Sequence, residues 1–185
     1  MNRLFIALNI PRDIKEKIIY LRNSAVINPQ DYRWETIEKL HLTLKFIGEV
    51  EDNLVELIKN AISFIPNYKA FNCGLSKFGF FYSGKIPKIL WLGLKINEEI
   101  FDLVKRLDEE LVKFGITEEK RKFKPHLTIM RVRKKLNKNF INCFENCKLP
   151  ETEFTANSVS LIKSELHSDS SRYTEIKNYT LMGGK

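Results

Sequence analysis

Histidine is scarce in this 185-residue chain: it has three, His41, His126 and His167. It has little else that breaks or staples a fold, with 8 Gly, 6 Pro and 3 Cys. The low Gly and Pro content, with 43% hydrophobic residues and 13 Phe, excludes a disordered or low-complexity chain. Cys73, Cys143 and Cys147 are an odd number, and the spacing of the last two completes no zinc knuckle, so reduced thiols are expected. Apolar runs such as residues 89–92 are far too short to cross a bilayer. The N-terminal stretch MNRLFIALNIPRD places charges and Pro11 too close together for a signal peptide, so a cytoplasmic protein without membrane contact is expected. A Gly-rich phosphate loop, a Walker lysine, G-x-S-x-G and H-E-x-x-H are all missing, which favours a site with neither cofactor nor metal.

What is present is basic. Lys and Arg number 31 against 23 Asp and Glu, a formal net charge of +8. Such a surplus fits a polyanion partner and equally fits a soluble lysine-rich surface. The densest basic runs, Lys120-Arg121-Lys122-Phe123-Lys124 and Arg131-Val132-Arg133-Lys134-Lys135, flank His126 on both sides.

Hydrophobic periodicity predicts a strand over residues 3–8, a helix from Pro11 to about Asn23, a strand over 40–47, a helix from about 51 to Pro66 and a strand over 70–78. Gly79, Gly84 and Pro87 suggest a loop over 79–88. The second half repeats the order: a strand over 89–96, a helix over 98–114 capped by Asn97 and ended by Gly115, a strand over 124–132, a short helix over 139–145, and closing strands over 153–164 and 172–181. The expectation is an α+β fold of two pseudo-twofold-related lobes, each a mainly antiparallel β-sheet backed by helices, around a central cleft. The repeat halves fall at about 1–84 and 85–185, and without a linker they form one bilobal domain.

The repeat carries chemistry. His41-Leu42-Thr43-Leu44 and His126-Leu127-Thr128-Ile129 are near copies 85 residues apart. At this chain's composition Leu-Thr follows a given His about once in 200, so two of three points to a repeat rather than chance. On a strand, His and Thr at i and i+2 share one face. Leu42, Leu44, Phe46, Leu127 and Ile129 then point to the core, and His41, Thr43, His126 and Thr128 face a cleft. A lone H-x-T is ordinarily a polar pair on an open sheet face; two at matching places in a repeat are not. Two imidazoles near pH 6.5 can act as acid and base, and hydroxyls can hold phosphate oxygens. The set suits in-line phosphodiester cleavage.

These motifs, with Arg3-Leu4-Phe5-Ile6-Ala7, Arg33-Trp34, the run from Leu40 to Val50, Leu90-Trp91-Leu92-Gly93, Pro125-His126, Ser164-Glu165-Leu166 and Tyr173, resemble the two-histidine (2H) phosphoesterase superfamily. Within it the chain is most similar to the RNA 2′,3′-cyclic phosphodiesterases, also called 2′-5′ RNA ligases. The resemblance implies metal-independent hydrolysis of RNA or nucleotide 2′,3′-cyclic phosphate ends to 2′-phosphomonoesters. It makes His41 the proton donor and His126 the proton acceptor, with Thr43, Thr128 and Arg131 on the phosphate; the near-symmetric sequence does not itself assign the two roles. Strict alternation puts Arg131 on the core face, so it reaches the cleft only through a bulge or strand end. The segment 167–172 lacks the Gly expected before Tyr173, and His167 is expected on a surface loop. Trp34, Phe46, Phe80, Phe81 and Tyr82 are candidates to stack a base, with Phe46 expected in the core because it shares the apolar face with Leu44. The alternatives are 2′-5′ RNA ligation at the same site and a non-catalytic RNA-binding module. Nothing in the sequence demands an oligomer, so a monomer is expected.

Overall fold

The strand β1 (Asn2–Asn9) has five consecutive buried residues, Leu4 to Leu8, where a half-solvated strand would alternate. The cause is its position between two other strands in a computed structural model that describes residues 1–167 and 171–184. Leu4, Ile6 and Leu8 join the main core, and Phe5 and Ala7 form a small cluster with Ile162 and Tyr173 on the other face.

After β1 come α1 (Arg12–Ser24), β2 (His41–Val50), α2 (Asp52–Ala61), β3 (Phe71–Ser83), β4 (Ile86–Ile96), α3 (Glu99–Val112), β5 (His126–Arg131), α4 (Lys138–Glu145), β6 (Glu153–Ala156), β7 (Ser158–Leu166) and β8 (Ser171–Thr180). The strands form an antiparallel sheet in the order β6-β3-β4-β5-β2-β1-β7-β8. The α+β fold is as expected, and the sheets of the two lobes are halves of one sheet. They meet where β2 pairs β5 at the single position Leu42 opposite Leu127. The helices α1 to α4 pack apolar side chains, among them Ile18, Ile58, Leu107 and Phe144, into the cluster that holds Leu42, Leu44, Leu127 and Ile129.

The pseudo-symmetry includes an exchange. The strand that follows α2, β3, pairs with β4 of the other half, and the strand β7, which follows α4 and β6, pairs with β1. Each sequence half thus completes the sheet of the other.

Three local expectations need correction. The strand expected over 153–164 is two strands, β6 and β7, separated at position 157; β6 pairs β3, and β7 pairs β1 and β8 in the other half of the sheet. Residues 79–88 are not a loop: β3 and β4 form a hairpin with Ser83 opposite Ile86 and a two-residue turn, Gly84-Lys85, in which Gly84 has φ 58°. Gly79 is there for a different reason. A Cβ on it would lie 2.3 Å from Cζ2 of Trp91, so the glycine makes room for the indole rather than breaking the strand. Asn97 does not cap α3; Glu98 holds the cap position without a side-chain bond, and the Asn97 amide donates to Oε2 of Glu99 at 3.2 Å. Gly115 closes the end of the helix with φ 76°, as expected.

On the core side of β2, Lys45 is buried, 4% exposed. Its Nζ donates to the Asp108 carboxylate on α3 and to the Thr117 carbonyl at 2.7 Å, in the segment that leads to β5. An ion pair so removed from water persists because each charge has its partner, and removing one leaves the other stranded. Lys45→Met should therefore cost about 3 kcal/mol, and adding Asp108→Leu should restore most of it. Urea unfolding of the single and double variants measures both.

Candidate active site

The strands β2 and β5 are neighbours at the centre of the sheet, so their motifs arrive side by side. Leu42 and Leu127 are fully buried. Their neighbours His41, Thr43, His126 and Thr128 take the opposite face and line one cleft of about 660 Å³. The four motif residues expected together are together.

Immediately beyond each Thr the strand bulges. Between β1 and β2 the register runs Ala7–Thr43, then Ile6–Lys45, passing over Leu44. Between β4 and β5 it runs Trp91–Thr128, then Leu90–Met130, passing over Ile129. An extra residue reverses the alternation that follows it. Two residues are redirected. Phe46, expected in the core with Leu44, is 52% exposed and forms part of the cleft wall. Arg131 also turns into the cleft. The two are equivalent under the 85-residue repeat, so one device delivers an aromatic ring on one side and a guanidinium on the other.

The imidazoles are held differently. His41 stacks on Phe5 with ring centroids 4.9 Å apart at 26°, and Tyr173 meets it edge-on at 5.6 Å. Its Nδ1 is buried with no hydrogen-bond partner among the described residues. Burial, aided by the positive charges of Lys15 and Arg131, pushes its pKa down to about 4. The His126 ring donates from Nδ1 to the Lys124 carbonyl at 2.6 Å, since a carbonyl can only accept, and Phe81 meets it edge-on at 4.9 Å. Burial lowers the His126 pKa as well, and the bond to Lys124 opposes the shift. With Nδ1 protonated, the neutral His126 ring has Nε2 as its basic nitrogen.

The cleft is basic. Arg3, Arg33, Lys39, Arg131 and Arg133 line it, and among the described lining residues Glu35 is the one acid. Glu35 Oε1 lies 3.4 Å from Nε of Arg131, and its Oε2 lies 3.8 Å from Nζ of Lys39. The Arg3 guanidinium sits over the Phe46 ring at 5.1 Å. Of the two basic runs flanking His126, only the second supplies cleft residues; in the first, Arg121 pairs with Glu119 at 2.9 Å on another part of the surface. Trp34 serves both core and cleft, bonding the Pro29 carbonyl at 2.7 Å and lining the cleft. Phe80 belongs to the core, and Tyr82 is exposed and bonds Glu145 at 3.1 Å. His167 is exposed, while residues 168–170, in the segment without the Gly expected before Tyr173, lie outside the described residues. Among the described residues no three His, Cys, Asp or Glu side chains are grouped to hold a metal ion, and no helix is long and apolar enough to cross a membrane.

Glu35, Lys39 and the stack of Phe5 beneath His41 escaped the sequence reading. Phe5 had a usable signal, because it stands on β1 opposite the face of Leu4 and Ile6. Glu35 had none, as nothing in its neighbourhood distinguishes it from a surface acid.

Two matched H-x-T strands over a basic cleft define a two-histidine phosphoesterase site, and residues 14–167 match the 2′-5′ RNA ligase superfamily. The chain belongs to that family. It is similar to the RNA 2′,3′-cyclic phosphodiesterase of Methanocaldococcus jannaschii, with 32% identity over 182 residues, 96% of this chain and 99% of that protein. The protein of the same name from Escherichia coli is 27% identical over 187 residues, covering 97% of this chain and 96% of its own. Among solved structures, E. coli LigT complexed with 3′-AMP superposes with a TM-score of 0.77 at 25% identity over 98% of both chains. TT0787 of Thermus thermophilus shares the fold, with a TM-score of 0.80 at 20% identity over 99% of this chain and 100% of that one.

The depressed His41 pKa has a stability consequence of definite sign. Below its ordinary 6.5 the unfolded imidazole takes a proton that the folded one refuses until about 4. The stabilising contribution is complete above pH 6.5 and is lost as pH falls towards 4. From pH 7 to 4 the native protein should lose up to about 3 kcal/mol more than His41→Gln does, measured by urea unfolding at each pH.

Proposed function

We propose that this chain hydrolyses RNA 2′,3′-cyclic phosphate ends to 2′-phosphomonoesters, with His41 and His126 as the two proton-transfer groups. The observation that carries the reading is the unequal setting of the two rings. The Nδ1 of His126 is committed to the Lys124 carbonyl, which leaves Nε2 to accept a proton from water. The Nδ1 of His41 is buried without an acceptor. Because a buried N–H without a partner is costlier than a lone pair without one, the neutral His41 ring keeps its proton on Nε2. One ring is thus prepared to accept and the other to donate.

Burial holds His41 neutral in the empty cleft at pH 7. A cyclic phosphodiester brings one negative charge, which favours the imidazolium and offsets the cost of an unpartnered N–H, so His41 gains its second proton, on Nδ1, as substrate binds. Thr43, Thr128 and Arg131 hold the non-bridging oxygens. Water, losing its proton to His126, attacks phosphorus opposite the 3′ oxygen. The P–O3′ bond breaks, His41 protonates the departing 3′ oxygen, and the phosphate remains on the 2′ oxygen. His126 then returns its proton to solvent.

The family membership and the phosphodiesterase names of its relatives support the same substrate class. The reading extends to work in the cytoplasm, as one bilobal unit and a monomer, since one chain supplies both histidines and all three phosphate contacts. It calls for neither metal nor cofactor.

Incubation with a 2′,3′-cyclic nucleotide should yield the 2′-phosphate isomer. His41→Ala and His126→Ala should each lower kcat by about 10²–10⁴-fold with the fold intact by circular dichroism. Near-full activity in either variant, a 3′-phosphate product, or abolition by EDTA would overturn the mechanism. Joining of a 2′,3′-cyclic end to a 5′-hydroxyl end would mark the reverse reaction at the same site.

A further inference from the structure

A carboxylate in a cleft that binds phosphate needs an explanation, because it repels the ligand. Glu35 is no passing surface acid. Its backbone N–H donates to the Ile129 carbonyl at 2.9 Å, and its own carbonyl accepts from Nη1 of Arg22 at 2.6 Å. The preceding residue, Trp34, bridges to Met130. Residues 34 and 35 are therefore stitched onto the bulge of β5, the feature that turns Arg131 into the cleft. The Glu35 side chain is 17% exposed and reaches both Arg131 and Lys39. Its contact on Arg131 is to Nε, which leaves the two terminal nitrogens of the guanidinium as a fork for phosphate.

We propose that Glu35 is a positioning and charge-setting residue that makes the cleft discriminate between a phosphodiester monoanion and a phosphomonoester dianion. This rests on the phosphodiesterase reading, because there the substrate carries one negative charge and the product nearly two at neutral pH. A fixed negative charge beside Arg131 opposes the product about twice as strongly as the substrate. It costs some substrate affinity and speeds release of the more highly charged product. The ion pair at Nε meanwhile orients Arg131 in the cleft before ligand arrives.

The test uses a matched pair of ligands that differ by one charge, adenosine 2′-monophosphate and its phosphate methyl ester, titrated calorimetrically at pH 7.5 into the native protein, Glu35→Gln and Glu35→Asp. Glu35→Gln should tighten the monoester about tenfold and the methyl ester about threefold, as expected for removing one nearby charge at an effective dielectric near 20 with partial screening. Glu35→Asp should stay close to native. In turnover, Glu35→Gln should show a lower product-inhibition constant relative to KM. A role confined to holding the fold would weaken both ligands alike. An unchanged ratio between the two ligands, or weaker monoester binding in Glu35→Gln, overturns the inference. If native turnover of the cyclic nucleotide persists in that case, the phosphodiesterase reading survives. If neither ligand binds the native cleft, both fall together.

Discussion

Two strands that touch at one residue pair organise this molecule. The pairing of Leu42 with Leu127 is the seam between the halves of the sheet, and both leucines are fully buried. Because side chains alternate, burying the two leucines obliges their neighbours to face the other way, so a hydrophobic constraint sets the relative placement of His41 and His126. The proposed chemistry needs two proton-transfer groups facing one cleft. The sheet turns both imidazoles into that cleft, and packing behind the leucines from α1 to α4 fixes the geometry.

The same seam shows how a symmetric scaffold supports an asymmetric reaction. Hydrolysis of a cyclic ester has an attacking side and a leaving side, and a perfect repeat would offer two equivalent ones. Here the repeat is kept in the backbone, down to a bulge at the same place in each motif, and broken in the side chains it redirects: Phe46 against Arg131. It is broken again in what lies behind each imidazole, a carbonyl for His126 and an aromatic ring for His41. In the proposed mechanism the division of roles rests on these departures from symmetry.

The periodicity of the sequence carried the α+β class, the four motif residues and most of the element order, because those depend on burial patterns a few residues long; it merged β6 and β7, which lie in different halves of the sheet, into one strand over 153–164. It misplaced Phe46 and left Arg131 in doubt for one shared reason: a bulge is a mismatch between partner strands, and no single strand's sequence displays it. Gly79 was misread because a glycine that admits a neighbour's ring looks the same in one dimension as a glycine that turns the chain. Glu35 was invisible because its meaning comes from Arg131, 96 positions away in the chain. Composition was a poor guide to the cleft, since the run at 120–124 contributes none of its charges there.

The exchange of β3 and β7 between the halves bears on where such a chain could come from. A half-length chain with this topology would leave β1 or β4 without the neighbour that covers its edge, and an uncovered edge is an invitation to pair. Two copies could satisfy each other only by trading that strand reciprocally, which is the geometry of an isologous, strand-swapped dimer. In that dimer each copy would contribute one H-x-T strand to a shared cleft. Joining two such halves in one chain would free the two sides to differ, as Phe46 and Arg131 do at equivalent positions.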